Sequence, residues 1–316
     1  MRGWTFIDTH EPLVLMEFDD PSPGPGEVIL DVMVTGLCHS DVGMMTDPTW
    51  LQTLAFRPII LGHEIAGVVH ELGAGVTNVA VGDRVGVCPS AGHGPPGYQR
   101  HGGFTTRHRV HSADLVPLPD ALSFELGALG TDAGMTAYHG IVTRGQVAAG
   151  MKVGVIGLGG LGQIGARVGV IRGAEIHVAE PNEAAWPLAH EIGATSVVKD
   201  AAEWAGGNFD LIVDYAGFDI TTRSATKAVR RGGRIVIVGL GKLETTLDTL
   251  ALVRSEIDVV GSGGGTWQDV ADIYELLASG EVSPQWSPIT FDDIPRGLDD
   301  LRHHRITGRL VARIGA

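Results

Sequence analysis

Cysteines, basic residues and long apolar runs are all scarce in this chain of 316 residues, and each scarcity argues against a class of protein. The only cysteines, Cys38 and Cys88, lie too far apart to indicate a disulfide framework. With 23 basic against 37 acidic residues, the formal net charge of −14 repels the phosphates of nucleic acids and of anionic lipids. No stretch approaches the ~20 apolar residues of a membrane span, and residues 1–13 contain no apolar signal-peptide core. We therefore expect a cytoplasmic protein with neither a nucleic-acid nor a membrane partner.

The length predicts two domains, because single hydrophobic cores rarely keep growing beyond roughly 250–300 residues. The first ~130 residues contain short β-rich segments separated by turn residues, among them Val28–Val34 and Val79–Val87. Residues 89–103 are almost all glycine, proline, histidine and polar residues. We interpret this segment as a surface loop, and a mobile flap over an active site is the alternative interpretation.

From about Met151 the pattern changes to short apolar strands that alternate with helical spacing. The predicted strands are Val153–Ile156, Ile176–Ala179, Ser196–Val198, Leu211–Val213 and Ile235–Val238. Such alternation is typical of a doubly wound parallel sheet. The glycine cluster at 261–265 marks the exit from this domain. We predict an α/β protein in which residues 131–264 form a Rossmann domain, and residues 1–130 with 265–316 form a mostly β domain.

A glycine-rich turn follows the first strand of the predicted Rossmann domain. It consists of Gly157, Gly159, Gly160, Leu161 and Gly162, with Leu158 inside it, and a helical pattern begins at its end. In this context Gly157 permits a tight turn, Gly159 lets the backbone approach a pyrophosphate, and Gly162 lets the helix pack on the strand. The helix N-terminus offers free N–H groups to that pyrophosphate. The sequence therefore predicts a dinucleotide site.

Glu180, at the end of the next predicted strand, indicates which dinucleotide binds. Its carboxylate would accept hydrogen bonds from the adenosine ribose hydroxyls and repel a 2′-phosphate. Residues 181–188 contain no arginine or lysine that could neutralise such a phosphate. This pattern favours NAD over NADP. Methyltransferases that use S-adenosylmethionine also combine a glycine turn with an acidic strand end, and they are the alternative for this half.

Four further blocks resemble the zinc-containing medium-chain alcohol dehydrogenases. They are Cys38–Asp41, Gly62–Gly67, Thr131–Tyr138 and Gly308–Val311, and together with the Rossmann part they extend the resemblance over nearly the whole chain. The resemblance implies that the mostly β domain is a GroES-like catalytic domain. It also implies hydride transfer between NAD and an alcohol or carbonyl substrate, for which we expect a secondary or cyclic alcohol.

Transferred position by position, the resemblance implies that Cys38, His63 and Asp132 bind a catalytic zinc, with Glu64 beside them and able to enter the site. A thiolate, an imidazole and a carboxylate fill three positions and leave the fourth open for substrate. Many family members have cysteine in place of Asp132, and some bacterial members have aspartate. The resemblance also implies that Asp41 orients the His63 ring.

The remaining site residues carried over from the family concern the proton and the cofactor. Ser40 would be the first hydroxyl of a proton relay. His39 and Arg309 would contact the pyrophosphate, although His39 could equally be a plain surface imidazole.

The chain departs from the family in three respects, the first being that it is shorter than typical members, which fits a trimmed lobe. Many members end the proton relay with a histidine five residues after the first zinc cysteine, where this chain has Gly43. The proton would then pass through ribose and water, or through another group such as His93 or His101. Many members also hold a structural zinc with four clustered cysteines, but no cysteine follows Cys88. We therefore expect one catalytic zinc per chain and no structural zinc.

The remaining expectations concern partners and alternatives. The resemblance implies a homodimer formed by edge-to-edge pairing of Rossmann sheets, with a homotetramer as the alternative. Met44, Met45, Trp50 and the loop 93–98 are candidates to line a pocket for a bulky or cyclic alcohol. A metal-free NAD(P)H-dependent quinone or enoyl reductase is the nearest alternative function. A non-enzymatic nucleotide-sensing protein is the alternative from another class.

Overall fold

The computed structural model describes residues 1–315, which divide into two compact units. The first unit comprises Met1–Asp132, Thr266–Gly280 and the chain from Gln285 onward. The second comprises Ala133–Gly265 and Glu281–Pro284. This division differs from the expected boundaries in three respects: Thr131 and Asp132 fall in the first unit, Gly265 falls in the second, and the four residues from Glu281 also join the second.

The regular elements are numbered in chain order. The strands are β1 (Arg2–Phe6), β2 (Val14–Glu17), β3 (Glu27–Leu37), β4 (Ile59–Ile60), β5 (Glu64–Leu72), β6 (Arg84–Val87), β7 (Arg107–His111), β8 (Leu115–Pro117), β9 (Lys152–Ile156), β10 (Glu175–Ala179), β11 (Ser196–Val198), β12 (Phe209–Asp214), β13 (Val229–Ile237), β14 (Asp258–Gly261), β15 (Trp286–Thr290) and β16 (Arg309–Arg313). The α-helices are α1 (His39–Thr46), α2 (Phe124–Leu129), α3 (Met135–Tyr138), α4 (Gly162–Ile171), α5 (Trp186–Ile192), α6 (Asp219–Ala228), α7 (Thr249–Ser255), α8 (Trp267–Ala278) and α9 (Ile294–Arg302). Two π-helical turns flank α3, at Gly130–Gly134 and His139–Arg144. No helix within residues 1–315 has the length and hydropathy needed to cross a membrane.

The first unit is built on a seven-stranded sheet in the order β15-β16-β3-β5-β6-β8, with β7 also paired to β3. A second sheet of three strands has the order β2-β1-β4. The long strand β3 runs antiparallel to β5, β7 and β16. The apolar side chains of β3 pack on those of β5, β6 and β7 in one buried cluster that includes Val28, Leu30, Ile65, Val85 and Val110. The predicted strand at 28–34 is thus confirmed and is longer than expected.

The predicted β-rich segment Val79–Val87 is only partly a strand, because β6 begins at Arg84. A turn occupies the preceding residues. Gly82 has a φ of +94°, a conformation that favours glycine. The Asp83 carboxylate also accepts a hydrogen bond from the N–H of Ala80 at 2.8 Å. These local contacts stabilise the turn over an extended strand despite the apolar residues around it.

The second unit contains a six-stranded sheet in the order β11-β10-β9-β12-β13-β14, with every neighbouring pair parallel. This is the strand order of a Rossmann fold, and helices alternate with the strands along the chain. All five predicted strands are confirmed, as β9 to β13. The sixth strand, β14, was not predicted. Its four residues are partly exposed, so they lack the continuous buried apolar pattern of a central strand.

One histidine of the first unit is buried in its neutral form. His108 on β7 is only 2% exposed. Burial, together with the positive charge of Arg100, lowers the pKa of His108 to about 3. In the unfolded chain this imidazole is protonated when the pH falls below its ordinary pKa of about 6.5. In the folded chain it is protonated only when the pH falls to about 3. The stability due to neutral His108 is therefore complete above pH 6.5 and is lost as the pH falls from 6.5 to 3.

We predict that His108→Gln removes part of the acid sensitivity of folding. From this one group, the wild-type free energy of unfolding should fall by about 2 kcal/mol between pH 7 and pH 5. The variant keeps a buried N–H donor but cannot be protonated in this range, so its loss should be smaller by that amount. Urea unfolding at the two pH values measures the difference. His190→Gln, at an exposed position on α5, is the matched control. Equal pH dependence in wild type and His108→Gln would contradict the prediction.

Candidate metal centre and dinucleotide turn

The candidate metal ligands lie where antiparallel strands of the first unit begin and end. Cys38 directly follows β3, and His63 directly precedes β5, whose first residue is Glu64. The pairing of these strands places Gly36 opposite Glu64. Sequence positions 38 and 63 are therefore brought together by the sheet register. Asp132 joins them from the π-helical turn after α2, an irregularity often found at functional sites.

These four side chains form one cluster in the structure. One potential ligand atom from each of Cys38, His63, Glu64 and Asp132 lies within 4.8 Å of all the others. The Nε2 atom of His63 is 3.6 Å from the Asp132 carboxylate. His63 and Glu64 are both buried. A thiol, an imidazole and two carboxylates at this spacing are a donor set that fits zinc.

The electrostatics of this cluster favour a cation. Burial disfavours the protonated form of His63, but the nearby Asp41 and Asp132 carboxylates outweigh it and raise its pKa well above the usual value. The Asp41 carboxylate is 3.4 Å from Nδ1 of His63, on the far side of the ring from Nε2. This is the arrangement by which a carboxylate orients a metal-binding imidazole. The ring therefore presents Nε2 to the other members of the cluster.

Arg309 on β16 lies against the same cluster. It is only 3% exposed, and its guanidinium forms an ion pair with Glu64. A second contact, at 4.0 Å, reaches the Asp132 carboxylate. A buried carboxylate needs such a partner, because an unpaired charge is costly away from water. The sequence did not predict this pairing, and contact of Arg309 with a pyrophosphate stays a prediction. His39 has an exposed side chain whose ring lies 6.0 Å from that of His304, which leaves both interpretations of His39 open.

Two hydroxyl groups adjoin the cluster. The Ser40 hydroxyl is 3.3 Å from Nε2 of His63. The Tyr98 ring lies 5.5 Å from the His63 ring. Burial raises the pKa of Tyr98 to about 12, so this hydroxyl is protonated at neutral pH. The sequence predicted Ser40 here but placed Tyr98 only in a loop near the pocket.

The two histidines considered for the proton relay lie outside this cluster. His101 accepts a hydrogen bond from the N–H of Ile60, and its ring contacts Phe18 and Phe56. His93 is hydrogen-bonded to Asp114 at 2.6 Å. These contacts give no support to a relay through either histidine, and that alternative stays a prediction. Sequence proximity to a loop could not show which of its side chains faces the cluster.

His93 also belongs to a second group of potential ligands, with His111 and Asp114. The His93 and His111 rings are stacked, with centroids 3.7 Å apart and planes inclined by only 6°. An imidazole binds a metal through a lone pair in its own ring plane, and two parallel planes share no such point. Asp114 is moreover paired with Arg100 at 2.8 Å. We interpret this group as a stacked pair with a salt bridge.

The glycine turn has the geometry of a dinucleotide-binding loop. β9 ends at Ile156, Gly157 adopts a φ of +85°, and α4 begins at Gly162 after Gly160 and Leu161 complete the turn. A Cβ atom at Gly162 would lie 1.8 Å from the carbonyl oxygen of Gly157, so only glycine fits there. A Cβ atom at Gly159 would meet nothing within 4 Å. The backbone at Gly159 is thus open to an approaching ligand, which fits a dinucleotide pyrophosphate.

Glu180, directly after β10, contacts this turn. One carboxylate oxygen accepts a hydrogen bond from the N–H of Leu158 at 2.7 Å, and the other accepts from the N–H of Asn182 at 2.8 Å. A carboxylate has about four acceptor positions, so two remain for other donors such as ribose hydroxyls. The hydrogen bond from Leu158, which the sequence did not predict, fixes the Glu180 carboxylate beside the glycine turn.

The same substitution should affect folding stability strongly at Gly162 and hardly at all at Gly159. Gly162→Ala forces a methyl group into a backbone carbonyl and should lower the free energy of unfolding by about 2 kcal/mol or more. Gly159→Ala places its methyl group in open space and should change it by less than about 0.5 kcal/mol. Urea unfolding of both variants measures the difference. Equal stability of the two variants would show that the turn relaxes away from the described geometry.

Comparison with known proteins agrees with this architecture. Residues 24–120 match the model of the alcohol dehydrogenase GroES-like domain, and residues 160–279 match that of zinc-binding dehydrogenases. An alcohol dehydrogenase of Geobacillus stearothermophilus is 30% identical over 340 aligned positions, which cover 99% of this chain and all of the relative. The chain belongs to the zinc-containing alcohol dehydrogenase family of medium-chain dehydrogenases. The family resemblance and the expected fold, a Rossmann domain plus a mostly β GroES-like domain, are therefore confirmed.

Solved structures show the same fold. An acetophenone reductase from Geotrichum candidum, determined in complex with NAD, superimposes with a TM-score of 0.91 at 27% identity. The superposition covers 99% of this chain and 96% of the reductase. The alcohol dehydrogenase of Aeropyrum pernix also gives a TM-score of 0.91, at 26% identity over 99% of this chain and all of the other.

Proposed function

We propose that this protein is a zinc-dependent alcohol dehydrogenase that transfers hydride between NAD and an alcohol or carbonyl substrate. The observation that carries the proposal is the convergence of Cys38, His63 and Asp132 within one small, partly buried cluster. In a chain of this family, that donor set supports zinc with one position open to substrate. The relative from Geotrichum candidum is a ketone reductase, and ketone reduction gives a secondary alcohol. We therefore propose a secondary or cyclic alcohol as the substrate class.

In this proposal, different residues of the chain hold the zinc, orient a ligand and bind the substrate. Zinc, when held by Cys38, His63 and Asp132, supplies Lewis acidity toward a substrate oxygen, and NAD supplies the hydride acceptor. Asp41 holds the His63 ring in the orientation that presents Nε2. Ser40, within hydrogen-bond reach of that atom, is placed to bond the hydroxyl of the substrate.

Glu64 lies beside these ligands and is paired with Arg309. Its carboxylate is buried, and the ion pair with Arg309 balances its charge. We propose that this pairing keeps Glu64 at the edge of the site while substrate is bound. Glu64 would enter only when the fourth position is empty, since the cluster brings its oxygen within reach of the other three ligands.

We also propose that each chain binds one catalytic zinc ion and no structural zinc. The stacked rings of His93 and His111 do not converge on a common point, which supports the absence of a second site. The alignment with the Geobacillus relative is longer than this chain, so the relative contains residues that this chain lacks. A trimmed lobe without a structural zinc is consistent with that difference.

We predict that Asp132→Ala loses bound zinc and alcohol turnover together. Removal of one of three ligands should reduce the zinc content from about one ion per chain to a small fraction. The affinity for NADH should stay within about twofold, because the dinucleotide turn is untouched. Metal content is measured by mass spectrometry on protein purified without added metal, and NADH binding by fluorescence titration.

His93→Ala is the matched control for this experiment, because it removes a ligand-type side chain from the stacked pair outside the cluster. It should retain one zinc and full turnover. Full zinc and activity in Asp132→Ala would remove Asp132 from the site. Wild-type protein that binds NADH but contains no zinc would instead favour the metal-free quinone or enoyl reductase.

We propose NAD as the cofactor, with Glu180 as the residue that selects it. Both Glu180 oxygens are already fixed by backbone N–H groups, so the carboxylate has a defined position from which to bond the ribose. The same charge would repel the 2′-phosphate of NADP. The open space above Gly159 supports an adjacent pyrophosphate position. A methyltransferase would have no use for the cluster around His63.

We predict that Glu180→Ser combined with Pro181→Arg shifts the cofactor preference toward NADP. The ratio of kcat/KM for NADP to that for NAD should rise at least about 10-fold, because a repulsive charge is replaced by an attractive one. Glu180→Gln, which removes only the charge, should give a smaller rise. The ratio is measured by steady-state kinetics with both cofactors. No shift in either variant would mean that Glu180 does not face the ribose.

The expected homodimer stays a proposal. β14 is the last strand of the parallel sheet in the second unit. The helix before it, α7, has two strongly exposed apolar side chains, Leu250 and Val253. An edge strand beside exposed apolar residues supports edge-to-edge pairing with a second copy. A homotetramer is the alternative assembly.

A further inference from the structure

Asp132 differs from the other candidate ligands in what holds it in place. Cys38, His63 and Glu64 lie at the ends of paired strands, so the sheet register sets their separations. Asp132 lies in the π-helical turn that follows α2, outside the strands. Its carboxylate is nevertheless 3.6 Å from Nε2 of His63. A contact other than strand pairing must therefore connect this turn to the sheet.

The hydroxyl of Thr131, the residue directly before Asp132, makes that connection. Oγ1 of Thr131 accepts a hydrogen bond from the N–H of Ile65 at 3.3 Å and donates one to the carbonyl oxygen of Ala128 at 2.7 Å. A threonine hydroxyl in a helix often bonds a carbonyl three or four residues earlier, and such a bond is local. The bond from Ile65, the second residue of β5, is not local. It ties the turn to the strand that His63 directly precedes.

The Thr131 side chain is fixed at both of its branches. It is completely buried, so its hydrogen bonds are shielded from water. Its methyl group lies over Gly86 of β6, where a Cβ atom would come within 2.7 Å of Cγ2 of Thr131. Gly86 is itself paired with Ala66, the residue after Ile65. The two branches therefore contact the neighbouring strands β5 and β6, and exchanging them by a change of rotamer would break both contacts.

The helix that leads into the turn is anchored as well. The hydroxyl of Tyr274 on α8 donates a hydrogen bond to the carbonyl oxygen of Gly127 on α2 at 2.8 Å. A Cβ atom at Gly130, the first residue of the turn, would lie 2.4 Å from the Tyr274 ring. Tyr274 thus fixes the end of α2, and Thr131 fixes the start of the turn relative to β5.

We propose that Thr131 is a positioning residue for the candidate metal centre, acting through Asp132. Its hydroxyl holds the turn at the distance from β5 at which the Asp132 carboxylate and the His63 imidazole can bind one ion. Thr131 itself contacts neither the ion nor the substrate in this role. A contact behind a ligand raises metal affinity when it holds the ligand in its binding position beforehand. This inference rests on the proposed zinc-dependent function.

The test is the zinc affinity of Thr131→Val, which keeps the shape of the side chain and removes the hydroxyl. The Kd for zinc should rise about 3- to 10-fold, the equivalent of one hydrogen bond. Competition for zinc with a chromophoric chelator measures this Kd without any turnover. Thr131→Ser keeps the hydroxyl and loses the methyl group, so its zinc Kd should lie within about twofold of the wild-type value. The affinity for NADH should stay within about twofold in both variants.

A double-mutant cycle with Asp132→Ala separates positioning from a general loss of stability. Because Thr131 acts through Asp132, Thr131→Val should change the zinc Kd by less than about twofold in the Asp132→Ala background. Thr105→Val is the matched control, since it removes another buried hydroxyl of the first unit, one that donates to the carbonyl oxygen of Arg2 at 2.9 Å. It should lower the urea midpoint of unfolding, as Thr131→Val does, but leave the zinc Kd unchanged.

Two results would overturn the proposal while leaving the proposed function intact. One is an active, zinc-binding wild type whose zinc Kd is unaffected by Thr131→Val. The other is an equal loss of zinc affinity in the wild-type and Asp132→Ala backgrounds. If Thr131→Val does not fold, Thr131→Ser and Thr131→Ala give the same comparison, because they too differ only by the hydroxyl. A folded wild type that binds NADH but no zinc would overturn the proposed function, and the positioning role with it.

Discussion

The antiparallel register between β3 and β5 is the constraint on which the candidate site depends. It places Gly36 opposite Glu64, and a Cβ atom at position 36 would lie 2.1 Å from a Glu64 carboxylate oxygen. Glu64 therefore folds back over the strand that carries Cys38 at its end. A shift of one residue would turn each side chain to the other face of the sheet and separate the thiol from His63. The sheet thus fixes the positions of the candidate ligands Cys38, His63 and Glu64 relative to one another.

Charge is the second constraint, and it follows from the first. Glu64 on β5 and Asp41 on α1 are both buried, and the Asp41 carboxylate is 3.4 Å from Nδ1 of His63. The π-helical turn adds Asp132. Acidic groups this close repel one another unless cations compensate for them. Arg309 supplies one positive charge through its contact with Glu64, and the raised pKa of His63 shows that the remaining field still attracts positive charge.

Much of the architecture could be predicted from sequence because it is encoded locally. Period-two and buried-strand patterns identified β3 and the five strands β9 to β13. The glycine spacing identified the turn at Gly157–Gly162, since a steric requirement at each glycine is a local property. β14 was missed because an edge strand with exposed residues lacks the buried pattern. The proposed ligand set came from matching whole blocks of sequence to a family, and no single residue would have indicated it.

The contacts that sequence analysis missed join positions far apart in the chain. Glu64 and Arg309 are separated by most of the chain length, and the contact of the Tyr98 ring with the His63 ring depends on how a loop packs on the first unit. No periodicity encodes such pairs. The same limit explains why Gly43 could be noticed as a departure from the family, whereas the indole of Trp50 in the adjoining space could not be inferred.

The balance of charge also distinguishes the proposed function from its nearest alternative. A metal-free reductase needs a dinucleotide turn, which the second unit provides. It gains nothing from a thiol and two carboxylates gathered around a buried imidazole, and it would bear their mutual repulsion in every folded molecule. A dication bound by Cys38, His63 and Asp132 removes that repulsion, because the thiolate and one carboxylate together match its charge. The cluster is therefore better explained as a site that a metal stabilises than as a remnant that the fold tolerates.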